Sequence, residues 1–157
     1  MKGSLRFLMS VTFLFSGSVN AIGTSSNSQA ADRVAQTRDK WLAALKSKDV
    51  TSAAAFYAAD AAFLQPTGYR IEGIKAIREL YEKVVSTFDT DLTLTSRFFE
   101  ASGNLACDSG EYEETLTNRA TAQKQHYRGQ YLMVFRLGPD GEWRIIQHVW
   151  SVVPTQT

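Results

Sequence analysis

The sequence predicts an α+β domain, with helices at the N-terminal end packed on a mainly antiparallel sheet. Two observations carry this. Apolar residues recur at helical spacing up to Phe88, and from Leu92 onward they alternate with polar ones as in strands. The stretch from Tyr131 to Ser151 then reads as a hairpin, two alternating runs broken by Gly138-Pro139-Asp140-Gly141.

The elements follow in order. Val34, Trp41, Leu42 and Leu45 give the run from Ala31 to Lys48 one apolar face, and Ser47-Lys48-Asp49 stops it. Thr51 and Ser52 are expected to cap a second, Ala-rich helix reaching about Ala59. Asp60 to Gln65 reads as a short strand ended by the turn at Pro66-Thr67-Gly68. Gly73 to Phe88 is the clearest helix, with Ile74, Ile77, Tyr81, Val84 and Phe88 in one stripe and opposite charges four residues apart on the other face. Strands are expected from Leu92 to Glu100, Leu105 to Thr117 and Gln123 to Leu137, the last leading into the hairpin.

Both faces of the hairpin carry bulky residues. Tyr131, Met133 and Phe135 share one face of its first strand, and Leu132, Val134 and Arg136 the other. Beyond the turn, strict alternation groups Arg144, Ile146, His148 and Trp150 against Trp143, Ile145, Gln147 and Val149. One face needs the helices for cover, and the other suits a partner subunit.

Residues 1–21 read as an export signal, with Lys2 and Arg6 ahead of the apolar run Phe7 to Phe15 and small residues at Val19-Asn20-Ala21. That run is shorter than the roughly 20 residues that span a bilayer, so no stable membrane anchor is expected. The expectation is an exported protein, periplasmic or secreted, with a Ser-rich tether over 22–30, one domain over 31–154 and a tail over 155–157. Cleavage after Ala30 is an alternative to cleavage after Ala21. Setting aside Lys2 and Arg6 leaves 15 of the 17 basic residues against 16 acidic ones. With no basic block, nucleic acid is not an expected partner. The single cysteine, Cys107, has no intrachain disulfide partner.

In Trp41-Leu42-Ala43-Ala44-Leu45, Phe56-Tyr57-Ala58-Ala59-Asp60-Ala61, Pro66 with Gly68, Gly73-Ile74-Lys75-Ala76-Ile77, Asp140-Gly141-Glu142-Trp143-Arg144-Ile145 and His148-Val149-Trp150-Ser151, the chain resembles the SnoaL-like branch of the nuclear transport factor 2-like superfamily. The resemblance runs from about Arg33 to Pro154. It implies a cone of three helices on a strongly curved sheet enclosing an interior pocket, on a fold that hosts isomerases, cyclases, dehydratases, hydrolases, plain binders and assembly modules. The ketosteroid isomerase mechanism does not carry over. Its general base falls on Gln65 and its oxyanion donors on Trp41 and Met133, and neither an amide nor a thioether can take those roles.

With Met133 and Trp150 facing the hollow, as the resemblance implies, alternation sends Tyr127, Tyr131, Phe135, Ile146 and His148 the same way. On the strand from Leu105, placing Tyr112 inward also brings in Asp108 and Glu114. The expected lining is Trp41, Tyr57, Gln65, Tyr81, Tyr112, Tyr131, Met133 and Trp150. Two functions for the hollow remain open. One is binding of a small apolar molecule, without cofactor or metal. The other is an isomerase, cyclase or hydrolase with His148 and Asp108 as proton carriers, since an imidazole, or a carboxylate lining an apolar hollow, can exchange protons near neutral pH. A third reading is a dimerisation module, with a homodimer formed through Leu132, Val134, Ile145 and Val149. A lone inward histidine such as His148 is more often a hydrogen-bonded core residue, and the three glutamates Glu111, Glu113 and Glu114 also read as a solvated strand surface.

Overall fold

A computed structural model describes residues 21–153. The expected export signal, apart from Ala21, and the tail over 155–157 lie outside the described residues. Helix α1 (Ala21–Lys46) and the short α2 (Val50–Ala55) lead into β1 (Tyr57–Leu64) and β2 (Arg70–Glu72). Helix α3 (Ile74–Thr87) precedes four long strands, β3 (Phe88–Ser102), β4 (Leu105–Asn118), β5 (Lys124–Leu137) and β6 (Trp143–Val152). One six-stranded sheet results, in the order β2-β1-β6-β5-β4-β3, antiparallel throughout except where β1 runs parallel to β6. The helices cover its inner face: α1 packs on β3, β4 and β6, and α3 on β1, β2 and β3. This is the α+β cone that the sequence predicts.

Burial of one stripe per helix drives this packing. Val34, Trp41, Ala44 and Leu45 of α1 are buried, as are Ile77 and Tyr81 of α3, while Lys75–Glu79 and Arg78–Glu82 pair on the outside of α3. Midway along α1, Arg33 Nη2 donates to the Gly141 carbonyl, tying the helix to the β5–β6 turn. Gly141 adopts φ +79° there, which glycine reaches without steric cost.

Four local expectations are corrected. α1 begins at Ala21 and runs through the stretch read as a tether, although Gly23, Thr24 and the serines there are weak helix formers. α2 is capped by Asp49, whose carboxylate accepts from the Ser52 amide at 3.0 Å and the Ser52 hydroxyl at 2.6 Å; these bonds lower its pKa. α2 also stops at Ala55, four residues early, since Tyr57 onward pairs with β6 and buries Tyr57, Ala61 and Phe63, a tertiary gain that overrides alanine's helical preference. Finally, Ile146 is an extra residue in β6: Val134 pairs with Gln147 but Phe135 pairs with Ile145. This bulge reverses the alternation, so Trp143 and Ile145 face inward with His148 and Trp150, and Ile146 leaves that face.

Candidate functional site

An open cleft of about 420 Å³ lies between α3 and the inner face of the sheet. Leu80, Tyr81 and Val84 of α3 form one wall, which is why its apolar stripe extends to residues only half buried. Leu92, Tyr112, Leu116, Tyr127 and Trp150 form the sheet wall. Gln65, Pro66 and Thr67, in the turn after β1, stand at the rim, and Trp41 and Phe63 close the inner end. Tyr112 and Trp150 meet edge to face, with ring centroids 4.4 Å apart.

Among the described residues Glu114 is the one charged side chain of this lining. Strand β4 sends it inward two residues after Tyr112, between Leu92 of β3 and Tyr127 of β5. Its Oε1 accepts from Thr90 Oγ1 at 2.9 Å. Burial raises its pKa and the Thr90 bond opposes the rise. Among the described residues no cluster of His, Cys, Asp or Glu could hold a metal ion.

Of the expected lining residues, Trp41, Gln65, Tyr81, Tyr112 and Trp150 line the cleft. Tyr57, Tyr131 and Met133 do not; they face inward but are packed beneath, at most 2% exposed, in the core cluster that also holds Val34 and Trp41 of α1. His148 is fully buried below the cleft's inner end, ringed by Trp41, Phe63 and Trp150 at centroid distances of 5.3, 5.0 and 5.0 Å. Its Nδ1 lies 2.6 Å from Tyr57 Oη, which lies 2.6 Å from Tyr81 Oη. Desolvation holds the imidazole neutral, with a pKa of about 3, and raises both tyrosines above their usual range.

Asp108 belongs to a separate group. Its Oδ2 accepts from Arg38 Nη1 at 2.8 Å and from Tyr131 Oη at 3.3 Å, and its Oδ1 from Ser96 Oγ at 2.5 Å. Burial and the Asp108 charge push Tyr131 up to about 12. Met133 pairs with Asp108 on one side and His148 on the other, which sets the two backbones two strand spacings apart, about 10 Å. The two expected proton carriers therefore do not meet, and neither lines the cleft.

Sequence alternation already placed Glu114 on the Tyr112 face, and the cleft gives that position its meaning. Leu80, Val84 and Phe63 carried no signal beyond being apolar on a periodic face.

The comparisons agree with this architecture. A ketosteroid isomerase-like protein from Erwinia carotovora atroseptica SCRI1043 superposes with TM-score 0.71 at 22% identity, over 78% of this chain and 95% of its own. A nuclear transport factor 2-like superfamily protein from Salmonella enterica serovar Typhimurium LT2 gives 0.73 at 22% identity, over 83% and 96%. A candidate scytalone dehydratase from Novosphingobium aromaticivorans DSM 12444 gives 0.77 at 14% identity, over 83% and 89%. At these identities the likeness is one of fold. No curated protein matches the sequence. The family model of the SnoaL-like domain matches residues 39–148, from the last turns of α1 through the bulge in β6, and the chain belongs to that family.

Proposed function

We propose that this SnoaL-like domain binds a small, largely apolar molecule in the cleft beside α3. The observation that carries the reading is the cleft itself: about 420 Å³, walled by aromatic and aliphatic side chains, with polar groups confined to a few positions such as Gln65 and Glu114. Gln65 stands where it can orient a carbonyl or hydroxyl at the rim. Tyr131, expected in the lining, and His148, expected to face the hollow, are too deep to touch such a molecule. A thermal-shift panel of ring-sized hydrophobic compounds tests the proposal. A binder present at 100 times its Kd stabilises the protein by about 2.7 kcal/mol. A panel without any shift rejects it.

One observation favours a catalytic second reading. The chain Tyr81–Tyr57–His148 joins a cleft wall to a buried imidazole, an arrangement that can redistribute a proton during an isomerisation, cyclisation or hydrolysis. Replacement His148→Gln should then abolish turnover of a bound compound while the circular dichroism spectrum is retained; unchanged turnover rejects this reading.

The proposal extends to export and to a homodimer through the outer sheet face, now read as Leu132, Val134 and Val149 without the inward-facing Ile145. N-terminal sequencing of protein recovered outside the cytoplasm tests the first, and sedimentation velocity the second. An uncleaved, retained chain or a monomer at micromolar concentration would reject them respectively.

A further inference from the structure

The lining of the cleft is chemically lopsided. Aromatic rings surround it, from Trp41 at the inner end to Tyr81 on α3 and Tyr112, Tyr127 and Trp150 on the sheet. Among the described residues this lining holds one carboxylate, Glu114, and no lysine, arginine or histidine. Thr90 supplies a single hydrogen bond to Oε1, and none of the basic side chains that form ion pairs among the described residues reaches Glu114. On either side of it across the sheet are Leu92 and Tyr127, neither of them cationic.

Any molecule that fills this cleft strips water from the carboxylate. A neutral hydrocarbon would leave the charge without compensation, and a carboxylate ligand would add a second negative charge beside it. A protonated amine does the opposite. It pairs with Glu114, and the negative faces of surrounding aromatic rings attract the same positive charge.

Resting on the binding function proposed above, we infer that the cleft selects an aromatic or alicyclic molecule bearing a protonated amine, with Glu114 as the counter-ion and specificity-determining residue. The elevated pKa of Glu114 is consistent with this, since a carboxylate poorly solvated in the empty cleft gains most from an arriving cation.

Three probes with the same ring system decide the matter: 2-naphthylmethylamine, 2-naphthylmethanol and 2-naphthoate, titrated at pH 7 by calorimetry into the purified protein. The amine should bind at least tenfold more tightly than the alcohol, and the carboxylate more weakly than either. The replacement Glu114→Gln should collapse the amine-to-alcohol ratio to about one. Should that variant fail to fold, Glu114→Asp keeps the charge but withdraws it by one methylene, and the ratio should fall only in part. Alcohol binding as tight as amine binding, or a ratio unmoved in the folded Glu114→Gln variant, overturns the inference and leaves the binding function standing. Failure of all three probes to bind overturns both.

Discussion

The Tyr57 hydroxyl lies 2.6 Å from His148 Nδ1 and 2.6 Å from the Tyr81 hydroxyl, so a single oxygen links the last strand to the third helix. The imidazole at one end of this link is fully buried and faces aromatic rings on several sides. Its Nε2 has no hydrogen-bond partner among the described residues. Such a ring is a core element first, and its charge state governs stability.

Above about pH 6.5 His148 is neutral folded and unfolded and contributes no pH dependence. Between 6.5 and about 3 the unfolded chain takes up a proton that the folded one excludes, so stability falls with pH. The slope approaches about 1.4 kcal/mol per pH unit. Urea denaturation at pH 6.5 and 4.5 should show a loss of about 2–3 kcal/mol from this residue, absent in His148→Gln. Equal losses in both proteins would refute a buried neutral imidazole.

Removing Arg38 leaves Asp108 buried without its cation. Arg38→Ala should destabilise the protein by about 3 kcal/mol or more, and adding Asp108→Asn should recover part of that loss. A double-mutant cycle by chemical denaturation measures the coupling, and strictly additive losses would show that the 2.8 Å pair is not a coupled unit.

Gly129 is a test of close packing. A Cβ there would fall 1.7 Å from the Ser151 carbonyl oxygen and 2.8 Å from Tyr112 Cε1. Gly129→Ala should therefore force β5 from β6, lower the melting temperature by several degrees and displace the Tyr112 ring that lines the cleft. Thermal unfolding of this variant indistinguishable from the parent would contradict the pairing of Gly129 with Val152.

Leu80 is half buried on the α3 wall. Leu80→Trp should fill the cleft and erase ligand-induced thermal shifts while changing intrinsic stability by less than about 1.5 kcal/mol, since the larger ring enters existing space. Retained ligand shifts would place the binding site elsewhere.

Much of this was legible in the sequence, for identifiable reasons. The stripe Ile74, Ile77, Tyr81, Val84 exists because one helix face must be buried, and that need is written at fixed spacing. Alternation along β4 likewise put Tyr112, Asp108 and Glu114 on one face. What alternation cannot report is strand order and helix placement. Met133 standing between Asp108 and His148, and Tyr57 and Tyr131 sharing one core with Val34 and Trp41 of α1, are products of tertiary packing. For that reason the lining residues were partly foreseen, whereas the expected acid–base pair was not assembled. The end of α2 was misread because alanine suits both a helix and a tightly covered strand.

The unpaired Ile146 also bears on how this chain is to be compared with others. A homologue with the same letters but a regular, unbulged strand at that position would exchange indoors for outdoors from His148 to the end of the strand. Position-by-position transfer of roles across that point is thus hazardous, and superposed backbones, rather than matched columns, decide which residue of a relative corresponds to Trp150.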